Sequence, residues 1–323
     1  MNDFKTLNGA SSRFAAFAKQ FGIYLVLLAL LIFFSIASEN FLNSNNLLNV
    51  ARQVSMLGIV AVGFAFVLLL GGIDLSVGSV ITLVNIVCAW LMVNAGWSPV
   101  FAVMAALALS AAIGFLNGWI IANIQMPSII VTLAMLIIIE GVAYLICGGL
   151  PIYGFDESFT VIGQGYIGPI PIPVVIMAVV MALGGFILSK TYFGRYFYAV
   201  GGNEEAAKLS GIDVNKVKYL VYTFSGFFAG VAGVVILSRT NSGQVLSGKG
   251  FEFDVLTACV LGGVSVSGGF GKISNVLAGV LILGVLGNGL VLLDVSQFVQ
   301  MVIKGAVLLG AVAFDSLQHR KAS

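Results

Sequence analysis

The sequence predicts an all-α fold: a polytopic bundle of transmembrane helices, some of them broken or re-entrant. Three observations predict it. Apolar residues make up 59% of the 323 positions and charged residues only 9%, with a mean hydropathy of +1.09, whereas soluble proteins carry about a quarter charged residues. The apolar runs are long and unbroken, as in YLVLLALLIFFSIA at 24–37, and a helical span needs roughly 20 such residues. None of them shows the alternation of roughly ten-residue strands that a membrane barrel requires.

Taken in order, the runs give about ten spans. They are 21–38, 53–70, 76–94, 98–122, 127–147, 172–189, 218–238, 253–267, 274–292 and 296–314. The first follows Lys5, Arg13 and Lys19 and ends near Ser35-Ile36-Ala37, in the manner of a signal peptide. It exceeds a usual signal core and reads as an uncleaved span. The run 76–94 starts at a glycine break, and 253–267 is short enough to be re-entrant. Basic residues gather before Phe21, in 190–217 (Lys190, Arg195, Lys208, Lys216) and in the tail (Arg320, Lys321). Segment 148–171 holds Asp156 and Glu157 with no Lys or Arg. The positive-inside rule then places both termini in the cytoplasm. The expected organisation is one domain over 1–323, with cytoplasmic segments 1–20, 190–217 and 315–323. Trp90 and Trp97 bracket an outer turn, a suitable interfacial position.

A weak internal repeat interrupts the spans. LGGIDLSVG at 70–78 and LGGVSVSGG at 261–269 share the pattern L-G-G-[IV]-x-[LV]-S-x-G. Repeated helix breaks are a mark of transporters. Ten spans make the copies parallel; a re-entrant segment makes them inverted. In the first copy Gly71 and Gly72 each weaken a helix by about 1 kcal/mol relative to alanine. Asp74 and Ser76 are both good N-cap residues for a helix restarting near Leu75 to Gly78, and the positive helix end favours the acid. Two readings stand: a plain cap near the membrane surface, or a break that lines a polar path. The second draws on the cost of a lipid-exposed charge, about 2.5–3.5 kcal/mol at mid-bilayer.

Other polar residues lie in apolar runs. Glu140, in LAMLIIIEGVAYL at 133–145, is either a path residue or an outer-end acid that snorkels or pairs with Lys304. Lys304 snorkels or pairs with Glu140 or Asp294. Asn85, Asn117 and Asn288 fit hydrogen bonds between helices, and some of them could face a polar path. SGFFAGVAG at 225–233 spaces Gly226 from Gly230 and Ala229 from Gly233 for close helix approach. Net charge of +2 offers no footing for nucleic acid. Cys88, Cys147 and Cys259 are scattered without a CxxC pair, and His319 is the single histidine, so no metal site is expected. GGFGKIS at 268–274 has Val266 and Ile273 where a phosphate loop needs Gly and Ser or Thr. No cofactor is expected in this chain, and nucleotide chemistry would belong to a partner.

The segment GGNEEAAKLSGID at 201–213 reads as a short capped helix. Asn203 suits the N-cap, Glu204 and Glu205 the first turn, Lys208 the end, and Gly211 the left-handed stop. Asp213 then caps the next span. The helix is either a surface linker or a docking element.

Four stretches together carry a family resemblance: GGIDLSVGS (71–79), GRYFYAVGGNEEAAKLSGIDVNKVK (194–218), LGGVSVSGGFGKI (261–273) and FVQMVIKGAVLL (298–309). With them the chain resembles the membrane permease subunits of bacterial ATP-binding-cassette importers for monosaccharides, the ribose-type permease group. That resemblance implies a homodimer in the inner-membrane lipid, worked by a separate cytoplasmic ATP-binding subunit and supplied by an extracytoplasmic sugar-binding protein. It implies ATPase coupling through Asn203, Glu204, Glu205, Ala206, Ala207 and Gly211, where Glu205-Ala206-Ala207 and Gly211 match the E-A-A-x-x-x-G pattern without its usual leucine-proline ending. The expected substrate pathway includes Asp74, Ser76, Asn85, Glu140 and Ser265. Glu140 departs from the family, which commonly has arginine before this glycine. The rival expectation is an ion-coupled secondary transporter with Asp74 or Glu140 carrying a proton.

Overall fold

A computed structural model describes residues 22–320. The basic residues Lys5, Arg13, Lys19 and Lys321, and with them segment 1–20, lie outside the described residues. The ten apolar runs all form helices, in the expected order. They are α1 (Gly22–Ala37), α2 (Ser44–Leu69), α3 (Val77–Val93), α4 (Pro99–Trp119) and α5 (Ser128–Cys147). After α6 (Glu157–Gln164) and a two-strand hairpin, β1 (Tyr166–Ile167) and β2 (Ile170–Pro171), come α7 (Ile172–Lys190), α8 (Tyr192–Gly202) and α9 (Glu204–Leu209). The chain closes with α10 (Val214–Thr240), α11 (Phe251–Leu261), α12 (Ile273–Leu292) and α13 (Gln297–Arg320). Among the described residues seven helices are long and apolar enough to cross a membrane, and α1 and α3 are shorter apolar helices.

Helices α2 and α10 form the centre. Most of each is buried, whereas α13 buries none of its described spanning stretch and α4, α5 and α7 bury little. Apolar side chains such as Leu145, Leu183 and Val302 therefore point outward, as expected where the solvent is hydrocarbon. Small residues let the central helices touch. Gly226 and Gly230 face Ser110 of α4, and a Cβ on Gly63 of α2 would lie 2.8 Å from the Ser225 Cα. The spacing read as a close-approach motif thus serves packing within the chain. Sparse hydrogen bonds register the helices: Asn46 and Asn288 exchange bonds of 3.0 and 2.8 Å, and Asn85 Oδ1 accepts from the Gln244 amide at 2.8 Å.

The bundle has two distinct ends. At one, α6 packs on the last turn of α10 through Gly163, and Arg52 hydrogen-bonds Tyr166. At the other lie α8, α9 and both glycine repeats. Helix α2 runs from the α6 end to the α9 end, and α10 runs back. Two short helices start between the ends. Asp74, just before α3, meets Ser225 near the middle of α10. Gly78 at the start of α3 faces Gly248 and Glu252 at the start of α11, and the Gly248 amide donates to Thr82 Oγ1 at 3.1 Å. From this junction α3 runs to the α6 end and α11 to the α9 end. The segment 241–250 re-enters from the α6 end to reach it. Eleven residues give α11 a length of about 16 Å, too short to span.

The two repeats end α2 and α11 in the same way. Gly71 has φ +74° and Gly263 φ +72°. The Gly72 amide donates to Val67 O and the Val264 amide to Cys259 O, the doubly bonded stop that a left-handed glycine permits. Both turns sit at the α9 end, followed by helices leading away, so the copies are parallel. Geometry pairs Leu69 with Leu261 and Gly71 with Gly263, one residue away from the pairing that the letters suggest. Lys304 also finds an unforeseen partner: it bonds Asp254 at 2.7 Å, not Glu140 or Asp294.

Candidate functional site

Asp74 is 1% exposed and wholly engaged. Its Oδ1 accepts the Ser76 amide at 3.1 Å and the Ser76 hydroxyl at 2.6 Å, while Oδ2 accepts the Ser225 hydroxyl at 2.7 Å. Asn117 Nδ2 donates to Ser76 Oγ at 2.9 Å. The network joins the glycine break to α4 and α10. It also refines the capping expectation. Ser76 is the N-cap of α3, yet its side chain makes no cap bond; both of its bonds are to Asp74 and Asn117. The carboxylate thus holds three elements together, and a buried carboxylate so bonded is costly to disturb.

The capped helix forms as its sequence dictates. Asn203 Oδ1 accepts the Ala206 amide at 2.9 Å, Glu204 and Glu205 occupy the first turn, and Gly211 has φ +83°. Asp213 accepts the Lys216 amide at 3.1 Å to start α10. Hydrogen bonds from the Lys216 side chain and backbone hold the Asp213 carboxyl below its ordinary value. Lys218 bonds Glu204 at 2.8 Å and so ties α9 to α10. Ala207 faces inward, but Leu209 is 89% exposed on a helix that is otherwise polar outside.

What lies beneath α9 matters most. Helix α8 ends in Gly201 and Gly202, and Asn203 is the one residue between it and α9. Gly201 packs directly on Leu69 O at the end of α2. The Gly269 amide donates to that same Leu69 O at 2.9 Å. A Cβ on Gly268 would lie 2.8 Å from Gly71 N and 2.9 Å from Gly201 O. Gly71, Gly201–Gly202 and Gly268–Gly269 therefore meet backbone to backbone, while Gly72 turns toward the Tyr222 hydroxyl. Side chains are absent from the joint, so a displacement of α8 and α9 bears on both breaks without intervening flexible groups.

The remaining expected residues separate. Ser265 lies in the second repeat at the α9 end, bonded to Asp315 at 3.4 Å. Glu140 lines a cavity of about 30 Å³ at the α3–α11 junction, with Glu252, Lys249, Ser79 and Thr82. Asp74, Ser76, Asn85 and Ser265 do not line it. A larger cavity of about 610 Å³ lies between α9, the start of α10 and the α4–α5 link, under Gly71 and Gly72. Sequence reasoning missed Ser225, Tyr222, Glu252 and Leu209. Ser225 opens the SGFFAGVAG stretch and could have been read as polar within a packing motif. Nothing local marks Glu252, which becomes significant only when α11 starts inside the bundle.

With this geometry in place the comparisons are decisive. A family profile described as "branched-chain amino acid transport system / permease component" matches residues 46–312. The chain belongs to this permease family. The matched stretch includes both glycine breaks, the three-glycine joint and α9. The permease is 44% identical over 296 residues to the ribose import permease protein of Escherichia coli (strain K12), across 90% of this chain and 92% of that one. It is 41% identical over 299 residues to the ribose import permease protein of Bacillus subtilis (strain 168), across 92% of each. It is 39% identical over 311 residues to the L-arabinose transport system permease protein of Escherichia coli (strain K12), across 96% of this chain and 94% of that one. No solved structure matches the permease.

Proposed function

We propose that the permease is the translocation subunit of an ATP-driven importer for a monosaccharide, ribose or a related pentose or hexose, in a bacterial inner membrane. The observation that carries the mechanism is the backbone contact of Gly201 with Leu69 and of Gly268 with Gly71, directly behind the capped helix α9. The relatives named for ribose and L-arabinose import support the sugar class.

In this reading the α9 end faces the cytoplasm and a separate ATP-binding subunit docks on α9, with Leu209 as its apolar contact and Glu204 and Glu205 beside it. Closure of that partner displaces α8 and α9. The glycine joint passes the movement to the ends of α2 and α11, and the Asp74–Ser76–Ser225–Asn117 network carries it into α3, α4 and α10. Two copies enclose the path. Asp74, Ser76, Asn85 and Ser265 position the broken helices, and Glu140 with Glu252 offers carboxylate oxygens to sugar hydroxyls. The α6 end, with Leu150, Tyr153 and Ile167 exposed, receives an extracytoplasmic sugar-binding protein.

The test is uptake in vesicles holding permease, ATPase and binding protein. Uptake should persist under an uncoupler while ATP lasts and stop when the ATPase is omitted. Proton-driven uptake by the permease alone would replace this reading with an ion-coupled one.

A further inference from the structure

The 610 Å³ cavity has the size of a small-molecule site, about 300–1,000 Å³, and belongs to a single protomer. Its chemistry is specific. Tyr222 lines it from α10 and is 2% exposed. The hydroxyl lies beside the Ser128 side chain at the start of α5, but among the described residues it makes no hydrogen bond of good geometry. A buried hydroxyl without a partner is costly, and a ligand hydroxyl in the cavity would satisfy it. The wall below offers Gln125, Asn215, Glu205 and Lys208, a mixture of donors and acceptors. Its lining carries three acids and two lysines. Lys218 is paired with Glu204, and Asp213 with Lys216, which lies outside the lining; Glu205 and Lys208 are left, one of each sign.

We propose that this cavity is a binding site for a neutral polyhydroxyl compound, the imported sugar itself, on the side of the membrane where α9 lies. A balanced, mixed wall suits hydroxyls that both donate and accept, and it disfavours an anion, which would meet Glu205 beside Lys208. Occupancy bridges Tyr222 and the α4–α5 link to α9, so it holds α9 against the bundle and slows the cycle as product accumulates. The identity of the ligand as sugar rests on the importer reading; the site itself rests on the cavity and on Tyr222.

The experiment uses the full permease–ATPase complex in lipid nanodiscs with D-ribose as the probe. Hydrogen exchange is followed in segments 121–128 and 203–218, and ATP hydrolysis, stimulated by saturated binding protein, is followed in the same titration. D-ribose should protect both segments saturably and lower hydrolysis over the same range, while ribose 5-phosphate should not. Tyr222→Phe removes only a hydroxyl that makes no well-formed hydrogen bond among the described residues, so the fold should persist, and the half-saturating concentration should rise about fivefold. Absence of saturable protection in the wild type overturns the site, as does an unshifted Tyr222→Phe curve. A complex that imports sugar in the vesicle assay but shows no such protection in nanodiscs defeats the cavity alone. Protection in nanodiscs by a complex that imports nothing in the vesicle assay defeats the importer reading and leaves the polyol site standing.

Discussion

Single residues matter here in proportion to how little polar material the chain contains. Asp74 is useful because Ser76 and Ser225 satisfy it completely. Ser225→Ala leaves one carboxylate oxygen without its hydroxyl donor, and the expected loss is about 1–3 kcal/mol, read as a lower midpoint of thermal unfolding in detergent. Gly201→Ala forces a Cβ into Leu69 O. Because that atom is backbone, relief requires helix movement, and sugar uptake should fall to background while Gly202→Ala, with open space around it, remains active. Asp213 is a third case. Its carboxyl titrates below the ordinary value because Lys216 hydrogen-bonds the charged form. Its contribution to starting α10 is therefore complete above the unfolded carboxylate value and is lost as pH falls through the folded one. Carboxyl-carbon NMR should find this aspartate titrating low, and Lys216→Met should move it back upward.

At the scale of elements, α9 is the clearest case of a helix written to be read from outside. Its caps, first-turn acids and terminal lysine were all legible, since they depend only on neighbours within one turn. The apolar face proposed for docking was not, because exposure of Leu209 depends on Ala207 being the side that packs. Leu209→Asp should weaken ATPase attachment at least about tenfold, as loss of an apolar anchor does, with the permease fold unchanged by circular dichroism. The broken pair α3 and α11 shows the opposite balance. Glycines at 71–72 and 262–263 announced two breaks, but the common level at which α3 and α11 start, and their opposed directions, arise from contacts such as Gly78 with Gly248 and Glu252. Those partners are far apart in sequence, which is why Glu252 escaped notice.

For the whole molecule, the distribution of apolar surface decides the setting. A nearly buried α2 and an α13 with no buried residue in its spanning stretch describe a bundle whose solvent is lipid on its flanks and water at its ends. The lysine of α13 illustrates how few charges this tolerates: Lys304 is held by Asp254 at 2.7 Å. The pair is half-buried, at the contact of α13 with α11, and removing one partner leaves the other charge uncompensated. Lys304→Met should therefore be less stable in detergent than the double variant with Asp254→Asn, a comparison that thermal unfolding of the three proteins decides.

The sequence by itself determined the setting, the ten apolar helices and their order, the two breaks and the caps of α9 and α10, because each follows from composition or from groups within a turn of one another. Only the tertiary structure decided that Asp74 belongs to Ser225, that Lys304 belongs to Asp254, and that glycines of three segments form one joint beneath α9. Those outcomes depend on distance through space between segments up to some two hundred positions apart, as from Leu69 to Gly269. Local chemistry carries no record of such meetings.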